Sequence, residues 1–279
     1  MDSIYRSARG RDLIRTWCRD RLAAWPVPHE RTALTANGAR THLVLAGSGP
    51  TTVVYVPGTN FNAAASLPMA TSLVTAGYRV AIPDVPGQPG LSTAERTLPD
   101  GTLSWYGTWL SETIEHLATA PVVVMGHSFG AAIALSADSP RIERLVLLSP
   151  GGLTKLRVPP ALLAAAAAWF LRPTPKRSAR LLRAMHAPGR RPREELVHWM
   201  TLVARHARSS ADPGPAAPPP RSVPRLLLTG EHDVFLPPRR LAPVVRATLG
   251  TELRVMPDAG HLIVEEHTDH LAALVRTQA

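Results

Sequence analysis

Short, nearly unbroken apolar runs recur along the chain and alternate with stretches of helical periodicity. The runs at 52–56, 78–82, 121–125, 144–148, 225–228 and 252–256 are too short for helices and mostly rich in β-branched or leucine residues. Between most of them, 63–76, 103–117, 129–137 and 239–249 carry apolar residues at helical spacing. Strands that are apolar on both faces, separated by helices, predict a mostly parallel sheet covered on both sides. Two flanking elements differ. Residues 1–25 set Leu13, Ile14, Trp17, Leu22 and Trp25 near helical spacing, until Pro26 and Pro28 end the pattern. Residues 29–36 and 40–46 read as paired strands joined at Asn37-Gly38, a hairpin signal.

The alternation breaks between Gly151 and Val223. This stretch is helical and basic, contains Trp169, Phe170, Met185, Trp199 and Met200, and ends in the proline-rich tether 211–220. The expected organisation is therefore an α/β core made of 1–150 and 224–279, with 151–223 inserted as a helical cap. Charge sharpens this division. The net charge is +10, and residues 151–223 hold thirteen basic and three acidic residues, while the remainder holds eighteen of each. The excess belongs to the cap. It carries no recognisable nucleic-acid motif and no regular aromatic interleaving, so nucleic acid is not the expected partner. An acidic carrier protein, an anionic substrate or an anionic membrane surface fits it better. A single cysteine, Cys18, excludes an internal disulfide and suits a reducing compartment. No apolar signal-like run opens the chain, and the longest apolar run, 161–171, falls short of the roughly 20 residues of a membrane span. A soluble cytoplasmic protein is expected.

The strongest chemical signal is Gly126-His127-Ser128-Phe129-Gly130, directly after an apolar strand and before the helix-forming run 131–135. A G-x-S-x-G sequence in that setting makes a tight strand-to-helix turn that exposes the serine. Serine needs a base to take its proton. His261 follows the last predicted strand, and Asp233 follows the strand at 225–228, so Ser128, Asp233 and His261 occur in the expected order. Glu231 is a rival for the orienting acid. No carboxylate stands at 148–150, after the preceding strand, which strengthens Asp233. His127 is expected to pack behind the turn. The oxyanion formed on attack needs N–H donors. Phe129 is one candidate, and Thr59, in the loop Pro57-Gly58-Thr59-Asn60-Phe61, is the other. Asn60, Phe61, Trp169, Phe170 and Trp199 are candidate substrate contacts.

These residues resemble the α/β-hydrolase superfamily over nearly the whole chain, including Pro57-Gly58, the Asp84-Val85-Pro86-Gly87 loop with Gly90 and Ser92, the Ser128 turn and the loops of Asp233 and His261. The opening helix ending in Trp25-Pro26-Val27 is similar to that of bacterial carboxylesterases in this superfamily. The resemblance implies a serine esterase with a helical cap, acting on a small acyl substrate without metal or organic cofactor. One departure is Pro57-Gly58, where most relatives have His-Gly. Serine at the turn argues against dehalogenase and epoxide-hydrolase chemistry, which use aspartate there. A thioesterase or acyltransferase acting on a carrier-bound acyl group is the alternative, and a non-catalytic binding protein a weaker one.

Overall fold

Asn37 and Gly38 both adopt positive φ, 43° and 74°, the requirement of the tight turn that matches strand twist in a two-residue hairpin. The turn joins β1 (His29–Ala36) to β2 (Ala39–Ala46), paired in register from His29↔Ala46 to Ala36↔Ala39. The computed structural model describes residues 3–95, 102–208, 214–218 and 222–276. The predicted tether at 211–220 lies partly outside these. Six further strands follow: β3 (Thr52–Val56), β4 (Arg79–Pro83), β5 (Val122–His127), β6 (Ile142–Leu148), β7 (Arg225–Gly230) and β8 (Leu253–Met256). The sheet order is β1-β2-β4-β3-β5-β6-β7-β8. β2 runs antiparallel to both its neighbours, and every pairing from β4 across to β8 is parallel.

The central strands are buried on both faces, which is why they read as continuous apolar runs rather than alternating ones. Val53, Tyr55, Val123, Met125 and Leu148 join one hydrophobic cluster; Val54, Val56, Val122, Val124 and Leu147 join another. The first cluster takes in helices α1 (Ala8–Ala23), α2 (Leu67–Thr75) and α10 (Thr268–Leu274). The second takes in α3 (Thr102–Leu117), α4 (Phe129–Ser136) and α8 (Pro238–Leu249). This is the α/β-hydrolase architecture: a mostly parallel sheet flanked by helices. A four-residue helix, α9 (Ile263–Glu266), precedes α10.

Between β6 and β7 the chain forms α5 (Pro160–Leu171), α6 (Pro175–Met185) and α7 (Glu194–His206). They are tied to the rest at several points. Trp17 of α1 stacks on Trp199 of α7 with ring centroids 4.6 Å apart. Arg193 pairs with Glu265 at 2.6 Å and also donates to the Ala65 carbonyl at 2.7 Å. The expected helix over 1–25 is shorter than the pattern implied. In residues 3–6, Ser3 instead bridges to Glu95 and Tyr5 to Ala207. Ile4 donates to Ala94 O and accepts from Arg208 N, and Arg6 N donates to His206 O. Those backbone partners outcompete helix formation, and Ser7 then caps α1 by accepting from Gly10 N at 3.0 Å. Among the described residues no helix is long and apolar enough to cross a membrane.

Candidate active site

Ser128 sits between β5 and α4 at φ 53°, ψ −111°. That backbone conformation costs an L-residue about 1–3 kcal/mol and persists only where its surroundings enforce it. The two glycines of the motif show how. A Cβ on Gly126 would lie 2.5 Å from Gly130 O, and a Cβ on Gly130 would lie 2.0 Å from Val56 O. Only hydrogen fits at either position, so helix and strand approach closely enough to fold the turn. Ser128 N donates to Leu148 O at 2.9 Å, and Ser128 O accepts from Gly151 N at 3.1 Å. The serine is therefore anchored through its backbone to both ends of the β6 loop.

The Ser128 hydroxyl lies 3.0 Å from His261 Nε2, and His261 Nδ1 lies 2.9 Å from Asp233 Oδ2. Asp233 also accepts from the backbone N–H groups of Phe235 and Leu236 at 2.9 and 2.8 Å, and from the Thr229 hydroxyl at 3.2 Å. Burial pushes its carboxyl up, but the neighbouring His261 and these hydrogen bonds outweigh burial and hold it well below the usual carboxylate range. An ionised Asp233 only accepts, so Nδ1 carries the imidazole proton and Nε2 presents a lone pair to the Ser128 hydroxyl. A Cβ on Gly260 would meet Met185 O at 2.5 Å, so the His261 loop is packed directly under the end of α6. Leu262 N also donates to Met185 O, at 3.2 Å.

Behind the turn, His127 is 2% exposed and its Nε2 donates to the His261 carbonyl at 2.8 Å. Burial first, and His261 second, push its pKa down to about 3. His127 is thus a neutral prop for His261. Glu231 and His232 are exposed neighbours of one another, with side-chain atoms 3.9 Å apart, and no hydrogen bond joins Glu231 to His261 among the described residues.

The loop 58–61 is held from three sides. Asn60, at φ 65°, donates its N–H to Gln88 Oε1 at 2.9 Å, its carbonyl accepts from Trp199 Nε1 at 2.7 Å, and Phe61 N donates to Gly58 O at 3.0 Å. Thr59 N–H and Phe129 N–H donate no hydrogen bond among the described residues. Both residues line a cavity of about 310 Å³ with Ser128 and His261. Asn60, Phe61, Trp169 and Phe170 line it as well. Trp199 does not. It is fully buried between Trp17 and the Asn60 carbonyl, so its role is to support the 58–61 loop rather than to contact substrate. Leu162 of α5, Leu181 and Met185 of α6, Met200 of α7 and Phe235 complete walls that sequence reasoning had not assigned. The first four lie in segments that read as helical, but nothing there separates a cavity wall from packed core, and Phe235 lies in the loop after Asp233. No Lys, Arg, Asp or Glu lines this cavity among the described residues. Among those residues no group of three or more His, Cys, Asp or Glu side chains forms a metal-holding cluster.

Comparison with known proteins supports the same fold. The alpha/beta hydrolase family pattern matches residues 53–275. The structure of the carboxylesterase CesB from Bacillus subtilis superposes with a TM-score of 0.77 at 16% identity, covering 96% of this chain and 97% of that one. Naproxen esterase, also from Bacillus subtilis, gives 0.73 at 20% identity, with 94% and 95% coverage. A meta-cleavage product hydrolase from Pseudomonas fluorescens gives 0.69 at 20% identity, with 88% and 95% coverage. Among curated proteins, none matches the sequence.

Proposed function

The chain belongs to the alpha/beta hydrolase family, and we propose that it is a serine hydrolase that cleaves carboxylic esters of small, neutral, apolar acyl groups through an acyl-enzyme. One observation carries this reading. The hydrogen-bonded chain Ser128–His261–Asp233, with contacts of 3.0 and 2.9 Å, ends in an apolar cavity of about 310 Å³.

In the proposed mechanism His261 Nε2 takes the Ser128 proton as Oγ attacks the ester carbonyl. The carbonyl π electrons move to oxygen, and the N–H groups of Thr59 and Phe129 stabilise the oxyanion, aided by the positive end of α4. Asp233 keeps the Nδ1 proton in place and offsets the charge on the imidazolium. Collapse of the tetrahedral intermediate breaks the bond to the leaving alkoxide, which takes the proton from His261. Water then repeats the sequence on the acyl-enzyme, with His261 as base, and releases the acid. The helices α5–α7 serve as a cap that shields these steps from bulk water.

Cavity chemistry supports the substrate class. Pockets for ligands span about 300–1,000 Å³, and this one lies at the small end. Its walls include Phe61, Leu162, Trp169, Phe170 and Met200, with no Lys or Arg among the described residues to neutralise an acyl carboxylate. Hydrolysis of a series of p-nitrophenyl esters tests the reading. Butyrate or hexanoate should be preferred, with a hemisuccinate ester at least about tenfold poorer in kcat/KM, since an unpaired charge would have to be desolvated. Ser128→Ala should abolish all of it. Equal turnover by that variant would refute the mechanism, and preference for the hemisuccinate would refute the substrate class.

A further inference from the structure

Among the described residues, the positive charge concentrated in 151–223 contributes no wall to the Ser128 cavity. Four of that segment's thirteen basic residues line a second, larger concavity of about 820 Å³ between α6 and α7. The apolar part of this groove is formed by Ala179, Val197 and Leu202, all half-buried, beside Thr201. Exposed Lys176, Arg183, Arg191 and Arg205 line it, together with exposed His198. None of the four Lys/Arg side chains has an acidic partner within ion-pair distance among the described residues. Among the described residues the only acid in the lining is Glu194, in the first turn of α7, where it complements the helix dipole. The whole segment from Arg144 to Arg193 contains no Asp or Glu. The chain therefore supplies almost no counter-charge of its own here.

We propose that the α6–α7 groove docks an acidic amphipathic helix of a partner protein, its apolar side chains against Val197 and Leu202 and its carboxylates on Lys176, Arg183, Arg191 and Arg205. The shape and chemistry select this occupant. A lipid surface is met by a convex apolar face, and this site is concave. Nucleic acid bound along a groove draws on aromatic side chains for base stacking, and among the described residues no Phe, Tyr or Trp lines this groove. A small free anion would meet only solvated cations spread around the rim, each worth little alone. An acidic helix meets them together, and buries apolar surface as well.

The groove is joined mechanically to the cavity. α6 turns Ala179 and Arg183 to the groove and Leu181 and Met185 to the Ser128 cavity. α7 turns Val197 and Leu202 to the groove and Met200 to the cavity. An occupant of the outer groove thus presses on the same two helices that wall the inner one. The groove's existence does not depend on the proposed esterase chemistry.

The test is fluorescence anisotropy on the full chain with a labelled acidic amphipathic peptide of about five helical turns. A scrambled peptide of equal composition, phosphatidylglycerol vesicles and an oligodeoxythymidine serve as comparators. The amphipathic peptide should bind at about 50 mM salt and weaken at about 500 mM. Its Kd should rise at least about tenfold in Arg183→Glu/Arg191→Glu/Arg205→Glu, but less than about threefold in the charge-matched Arg19→Glu/Arg240→Glu/Arg254→Glu, because complementary charge acts locally. Circular dichroism checks folding of both variants; if the groove triple does not fold, Arg183→Glu alone should weaken binding about threefold by the same logic. Equal losses in the two triples, or equal binding of the scrambled peptide, would overturn the proposal. So would tighter binding of vesicles or oligonucleotide that the groove substitutions remove.

Discussion

His127 Nε2 donates a hydrogen bond to the backbone carbonyl of His261, 2.8 Å away, across 134 positions of sequence. The two histidines of the site are thereby given different tasks. One is buried, neutral and structural, and the other offers its Nε2 to Ser128.

The buried histidine makes stability depend on pH. In the unfolded chain its imidazole takes up a proton near pH 6.5. In the folded chain burial and His261 keep it neutral down to about 3. Folding excludes that proton between these values, so stability falls as pH drops from 6.5 toward 3, by at most about 1.4 kcal/mol per pH unit for one group. His127→Gln retains a donor for the His261 carbonyl and removes the titration. Urea unfolding at a series of pH values in this window should show a shallower slope in the variant. An unchanged slope would assign the pH dependence elsewhere.

Asp233 acts in the same sense, but in a lower pH range. Its folded carboxyl is held below the usual range, so it contributes stability above its unfolded value of about 4, lost as pH falls below that. Asp233→Asn removes that contribution and can no longer fix the Nδ1 proton of His261. Ester turnover should drop on the order of 10³–10⁴ in kcat, with the Ser128 hydroxyl still present. A loss below about tenfold would mean that another group orients His261.

Trp199 supports the 58–61 loop from outside the cavity. Trp199→Phe should cost about 1 kcal/mol in denaturant unfolding, for the hydrogen bond lost at the Asn60 carbonyl. Its effect on activity should appear in kcat, through Thr59 N–H, with KM for short esters little changed. A large rise in KM at constant kcat would instead place Trp199 against the substrate.

Gly130→Ala should fail at the level of the fold. Its Cβ would lie 2.0 Å from the Val56 carbonyl oxygen, a backbone atom of the central strand. Destabilisation of at least about 2 kcal/mol is expected in thermal or denaturant unfolding. A variant as stable as the parent would mean that strand and helix can separate without cost.

The core was legible in sequence because its strands are buried on both faces and its turn at Ser128 needs glycines that leave a recognisable spacing. The loops of Asp233 and His261 were found by chain order alone, since each follows a strand that the apolar runs already marked. The inserted helices were less legible. Trp169 and Trp199 look alike in sequence, each an aromatic in a helical segment, yet one lines the cavity and the other is trapped against Trp17. That difference is set by which helix packs on α1, a tertiary contact without a local signal. The bridged residues 3–6 were missed for the same reason, as their partners are Ala94, His206 and Arg208. Charge counting located the basic excess in 151–223, but only packing reveals that four of its cations line the α6–α7 groove and that, among the described residues, none lines the cavity.

The central claim is that Ser128 is a nucleophile activated by His261. The most direct measurement is intact-mass analysis after reaction with a fluorophosphonate. The native chain should gain one phosphonyl adduct, mapped to the peptide bearing Ser128, and Ser128→Ala should gain none. A native chain that remains unmodified, or a Ser128→Ala variant modified at the same rate, would contradict the account.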